Sequence, residues 1–202
     1  MNNLTFINLA LSITALLLSA LNVYWNFFRR PKLQVVYIDK APYRKYLTSD
    51  VHPDSPEWYI RLKVINKQRV IAKNCVGRIV EWYTNDKQVE SFDPIKLHWV
   101  SNSYDNYSGI DLSYQEFDYL DIIVTRKKEG MFKIYTNIQL RGIPVKFNIN
   151  ERHMFKVSIY SEKEAYKFSW FLIEKDLSSE EYRAIIVSQI NENQRRKLLG
   201  RA

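Results

Sequence analysis

One cysteine, Cys75, stands in 202 residues, so the chain can form no intrachain disulfide. That excludes a disulfide-stapled secreted scaffold and fits a reducing compartment. Glycine is scarce, at five residues, and none of it forms a glycine-rich phosphate loop. The three histidines, His52, His98 and His153, lie far apart and share no ligand spacing. Neither paired cysteines nor an acidic calcium loop accompanies them. No cofactor and no metal are expected. Internal repeats, low-complexity stretches and long linkers are also missing. The most telling absence is at the start. No charged side chain occurs before Arg29, and then Arg29, Arg30 and Lys32 arrive together.

That charge-free start is apolar. Leu4 to Phe28 is a run of 25 residues. As a helix it would be roughly 37 Å long, enough for the ~30 Å hydrocarbon core with some tilt. The competing reading is a cleaved signal peptide, which wants a basic start and a small-x-small cleavage site. Here no basic side chain precedes the run, and Leu18 occupies the position before Ser19-Ala20 where a small residue belongs. Tyr24, Trp25, Phe27 and Phe28 crowd the end of the run as an interfacial aromatic belt would. All the flanking positive charge follows the helix, which predicts a cytoplasmic C-terminal domain. An extracytoplasmic domain, as in a stator or adhesion-like protein, is the alternative.

The predicted helix carries a stripe. Thr5, Asn8, Ser12, Ala15, Ser19, Asn22 and Asn26 recur at alternating spacings of three and four, so they share one face. Small and hydroxyl residues permit close helix approach in lipid, and asparagine can bond across the contact. The expected partners are the membrane and a second helix, from another copy or another protein.

The domains predicted are 1–31 as a transmembrane anchor, 32–176 as a β-sandwich and 177–202 as a C-terminal helix. Trp58, Ile60, Leu62 and Val64 alternate with Tyr59, Arg61, Lys63 and Ile65, the pattern of a half-buried strand with one charged face. Phe155-Val157-Ile159, Phe132-Ile134-Ile138, Val145-Phe147-Ile149 and Leu33-Val35-Tyr37 read the same way, as does Phe168-Trp170-Leu172 with Lys167 and Ser169 facing out. Gly77 inside the Asn74–Thr84 run predicts a bulge or a close backbone approach. Ser101 to Ser113 is polar, tyrosine-rich and aperiodic, and reads as a long loop. Ser178 with Glu181 makes a capping box, and Tyr182, Ile185, Ile186 and Ile190 make one apolar helix face.

The formal net charge is +8, spread through the domain after the apolar start. It suits an anionic membrane surface and would also suit nucleic acid, and a solvated lysine-rich surface is favoured over both. Arg195, Arg196 and Lys197 complement the negative end of the last helix. With Arg29, Arg30 and Lys32 they are the candidate contacts for lipid head groups or nucleic acid, of which nucleic acid is the less favoured. Cys75 reads as a small core residue, His98 beside Trp99 as packing, and Asp118 and Asp121 as solvated acids at a strand entry.

Leu62-x-Val64-x-Asn66 followed by Ala72-x-Asn74-Cys75 resembles a strand–turn–strand signature of immunoglobulin-like modules of the CARDB type. Leu97-His98-Trp99 and Tyr119-Leu120-Asp121-Ile122 resemble elements of small prokaryotic membrane-anchored proteins that pair one N-terminal helix with such a sandwich. The resemblance covers about residues 33–175 and departs at Lys67-Gln68-Arg69, where those modules often turn on glycine. It implies a mainly β fold, immunoglobulin-like, and a binding or scaffolding role without catalytic residues. The chain therefore reads as a single-pass, non-catalytic interaction protein.

Overall fold

The computed structural model describes residues 3–24, 30–49, 52–89, 93–126, 131–136, 147–148, 150–162, 167–175 and 185–200. Its elements are, in order, α1 (Asn3–Val23), β1 (Leu33–Val36), β2 (Arg44–Ser49), β3 (His52–Asn66), β4 (Ala72–Thr84), β5 (Lys87–Gln88), β6 (Ile95–Lys96), β7 (His98–Trp99), β8 (Ile110–Leu112), β9 (Phe117–Arg126), β10 (Met131–Ile134), β11 (Phe147–Asn148), β12 (His153–Tyr160), β13 (Lys167–Lys175), β14 (Ile185–Ile190) and α2 (Glu192–Leu198). The fold is mainly β, in two sheets. One runs β1-β3-β9-β10-β11, with β2 on β3 and β7 on β9. The other runs β14-β13-β12-β4-β5, with β6 and β8 on β4.

The period-two pattern explains why the sheets share a core. Leu62, Val64 and Leu120 of the first sheet and Ile79, Trp82, Phe155, Val157 and Phe171 of the second are all fully buried in one cluster. Trp82 is its aromatic centre. Its ring stacks at 4.5 Å on Phe147 and 5.6 Å on Phe155, one from each sheet. Direct bonds tie the layers together. Trp99 Nε1 of β7 donates across to the Cys75 carbonyl of β4 at 2.9 Å, and the Leu97 amide, just before β7, donates to the Gly77 carbonyl at 2.9 Å in continuation of the β4–β6 ladder. Of the two readings of Gly77, the close approach is the one found. A Cβ there would come within 2.5 Å of Leu120 Cδ1 in the opposite sheet. The bulge lies elsewhere, where Val80 is skipped between the Glu81–Lys156 and Ile79–Val157 pairs.

Three sequence expectations are corrected. Ile185, Ile186 and Ile190 belong to strand β14, paired with β13, and not to a helix. The β-branched run Ile185-Ile186-Val187 favours an extended strand, and β13 offers a free edge to pair with. The capping box expected at Ser178 and Glu181 lies outside the described residues. The one found is Asn191 with Gln194, and it starts the short helix α2. The second sheet thus continues to Ile190, past the boundary expected at 176.

The second correction concerns β13. Phe171 and Ile173 face the core, whereas Phe168, Trp170 and Leu172 lie on the other face. Ser169, expected outside, is buried. The strand is apolar on both sides, because α2 covers its outer face with Leu198 and Leu199 against Met154, Trp170 and Leu172. The third concerns residues 101–113, whose last part pairs with β4 as β8.

Gly77→Val should destabilise the fold by about 1–3 kcal/mol through overpacking against Leu120. Leu120→Ala in the same chain should recover part of that loss. Denaturant unfolding of the two variants and their combination checks this coupling.

Candidate functional site

The expected charged face of β3 is not solvated. Arg61 and Asp121 lie on the outer face of the first sheet, yet only 8% and 3% of their surfaces are exposed. They oppose each other in the β3–β9 register. A skipped residue, Ile122, between the Ile60–Ile123 and Arg61–Asp121 pairs sets this alignment. Arg61 Nε donates to Asp121 Oδ1 at 2.6 Å. On the other side β7 lays His98 opposite Asp121. His98 Nδ1 lies 3.5 Å from Asp121 Oδ2, and His98 Nε2 lies 2.9 Å from the Ser103 carbonyl.

The cover over this cluster is the tyrosine-rich loop. Its ring edges meet in a chain: His98 with Tyr107 at 5.2 Å, His98 with Tyr135 at 5.3 Å, and Tyr135 with Tyr104 at 6.0 Å and Tyr59 at 5.4 Å. The loop is also pinned at its start, where Ser101 Oγ donates to Asp118 at 2.5 Å. Farther on, Asn102 Nδ2 donates to the Ser108 carbonyl. Asp118 therefore serves the loop and does not form a carboxylate pair with Asp121. Tyr104 stays 78% exposed at the loop surface.

The electrostatics follow from this geometry. Both ring nitrogens of His98 face acceptors, so the imidazolium, which donates from both, is the form that satisfies them. Its pKa is raised, chiefly by the Asp121 hydrogen bond, against the opposing effect of burial. Burial pushes the Tyr107 hydroxyl up to about 12 and raises Tyr59 and Tyr135 well above the ordinary phenol value. Asp121 holds Arg61 and His98, and His98 holds the loop. The arrangement positions a loop over the sheet.

The other polar residues singled out are structural as well. Cys75 Sγ lies 3.3 Å from the Ala72 carbonyl, and burial pushes the thiol up to about 12, the reverse of an activated nucleophile. His153 is fully buried among Trp82, Phe132 and Phe147. Trp82 Nε1 donates to Thr84 Oγ1, which lies 3.1 Å from His153 Nδ1, while Nε2 lies 3.1 Å from the Asn148 carbonyl. A neutral ring protonated on Nε2 completes that chain, and burial lowers its pKa.

Thr5, Asn8, Ser12, Ala15, Ser19 and Asn22 all lie exposed on α1. The Ser12 hydroxyl donates back to the Asn8 carbonyl at 2.9 Å, so it serves the stripe as a small residue with a satisfied hydroxyl. Arg30 and Lys32 are exposed, and Arg29 lies outside the described residues. On α2 the three cations divide. Arg195 stacks 4.3 Å over Trp170 and bonds Glu192 at 2.5 Å, which makes it a fastener for the helix. Arg196 and Lys197 are exposed. Among the described residues no group of three or more His, Cys, Asp or Glu side chains is placed to hold a metal. The residue that sequence reasoning missed is Arg61. Its only signal was a charge opposite an acid in a paired strand.

Asp121→Asn should cost about 3–5 kcal/mol, because it leaves the buried Arg61 charge uncompensated. The histidines should titrate in opposite senses. His98, with a raised folded pKa, contributes stability at acid pH that is lost as pH rises through that value. His153, with a lowered one, contributes stability above the ordinary histidine range that is lost as pH falls. Imidazole NMR of the folded protein should show His98 doubly protonated at a pH where His153 is a single neutral tautomer.

Comparison of the chain with family profiles, curated proteins and solved structures returns no match, so its function is argued from its own geometry.

Proposed function

We propose that this is a single-pass membrane protein whose immunoglobulin-like β-sandwich is a non-catalytic interaction domain. One observation carries the reading. Thr5–Val23 of α1 is long and apolar enough to cross a membrane, and none of it is buried against the rest of the chain. Phe6, Leu11, Leu16 and Leu18 each keep more than 60% of their surface exposed. Such a surface needs lipid or another helix around it. The stripe from Thr5 to Asn22 is the face suited to another helix, and the remaining apolar faces suit lipid. The basic flank after the helix favours a cytoplasmic sandwich. Two antiparallel sheets on one core support the immunoglobulin-like assignment. The locked loop that holds Tyr104 exposed supports a binding role over a catalytic one.

The test is cross-linking of the full chain in native membranes. Replacing Asn8, Ser12, Ser19 and Asn22 together by Leu should reduce cross-linked oligomers several-fold while the protein stays with the membrane after alkaline extraction. Unchanged cross-linking would remove helix association. A mature chain beginning after Ala20 would replace the anchor by a signal sequence. Digestion of the sandwich by protease added to intact cells would reverse the topology.

A further inference from the structure

The chain between anchor and sandwich is short. From Val23 to Leu33 there are ten Cα steps, at most about 36 Å even when fully extended. Leu33 pairs with Asn66 at the end of β3, so the chain enters the sandwich at one particular rim. Two turns form that rim, residues 67–71 between β3 and β4 and residues 113–116 between β8 and β9.

Asn66 binds the two turns into one body. It is fully buried. Its side-chain amide donates to the Val70 carbonyl at 2.6 Å and to the Leu112 carbonyl at 2.9 Å. Its backbone amide donates to Glu116, and its carbonyl accepts from Gln115. The Lys67 amide donates to the Lys32 carbonyl at 2.8 Å, which ties in the incoming chain. The lysine and arginine that stand where related modules use glycine are therefore held in a fixed turn.

This rim displays cations beside apolar groups. Lys32, Lys67 and Arg69 are exposed, and so are Ile71, Tyr114 and Phe117 at 49%, 44% and 47%. The Arg69 guanidinium lies 5.6 Å from the Tyr114 ring, and Lys63 Nζ lies 3.6 Å from the Phe117 ring. Lys73 adds a further exposed cation. Three acids lie near. Glu116 and Asp111 accept from the Ser113 and Asn74 amides, and Glu162 lies where its amide bonds the Lys73 carbonyl. Cations remain in excess. Cations interleaved with aromatic and aliphatic side chains match the head-group region of an anionic leaflet, where amphipathic rings settle and phosphates sit.

We propose that this rim is a second membrane contact, recognising anionic lipid and holding the sandwich on the surface through which α1 passes. The proposal rests on the reading of α1 as a membrane anchor.

The experiment uses the full chain in nanodiscs of phosphatidylcholine, with or without about 30% phosphatidylserine, an anionic lipid content that sets up the surface potential basic residues sense. Cys75 is buried, so single cysteines at exposed positions can be labelled selectively. One fluorophore is placed by Ser113→Cys in the rim. A control is placed by Lys87→Cys in β5, beside the far end of β4 and about 40 Å from the rim along that strand. A quencher is attached to the lipid head groups. In anionic discs the label at 113 should be quenched about threefold or more over the label at 87, and 1 M salt should shrink the difference. Lys67→Glu with Arg69→Glu should abolish it. Equal quenching at the two positions, or a difference that persists unchanged in neutral discs, overturns the proposal. Alkaline extraction of the same discs separates the two readings. Release of the chain sinks the anchor, whereas retention with an unquenched rim sinks the second contact alone.

Discussion

Asp121 is a carboxylate inside the first sheet, and much of that sheet's outer surface is organised around its charge. A carboxylate with so little exposure is tolerable only when paired. Arg61 supplies one partner across the β3–β9 register, and His98 supplies a second from β7. His98 in turn needs an acceptor for its other nitrogen and takes the Ser103 carbonyl. The loop is thereby drawn over the sheet, its tyrosines close on the polar cluster, and water is kept from a face that would otherwise be wet.

The same constraint shapes the functional reading. A residue set of acid, histidine and arginine in a buried position invites a catalytic interpretation. Here each member is spent on another. The carboxylate divides between two cations, and the imidazole between the carboxylate and a backbone carbonyl. On the solvent side of the loop Tyr104 stays exposed. The opposite sheet solves its outer face differently. There Arg195 lies over the Trp170 ring and brings a short helix over an apolar strand. Each outer face is thus covered by an element fastened through a basic side chain, His98 on one and the partly buried Arg195 on the other.

How much was legible in the sequence depends on how many faces of each element are buried. The β3, β12 and β1 patterns were readable because one face is apolar throughout and period two then reveals the core. Gly77 was readable because a glycine inside a strand marks a close approach. The assignment failed at two places where a second layer covers the outer face. In β13 apolar residues stand on both sides, so alternation could not say which side faces the core. In β3 and β9 the charges of Arg61 and Asp121 read as solvated because the loop that covers them is aperiodic and distant in sequence. The helix expected across Ile185 and Ile190 failed because spacing alone cannot tell a β-branched strand from an amphipathic helix over six residues. The candidate site was therefore illegible as a site, although His98 and Asp121 both stood in segments that had drawn attention.

The central claim is that a doubly protonated His98 bridges Asp121 and Ser103 and so locks the tyrosine-rich loop. Hydrogen exchange of residues 101–109, expressed as protection relative to the unfolded rate at each pH, tests it most directly. Protection should hold below the raised pKa of His98 and fall as pH rises through it, while the β4 and β12 amides stay protected. Loop protection that does not change across that titration would contradict the account.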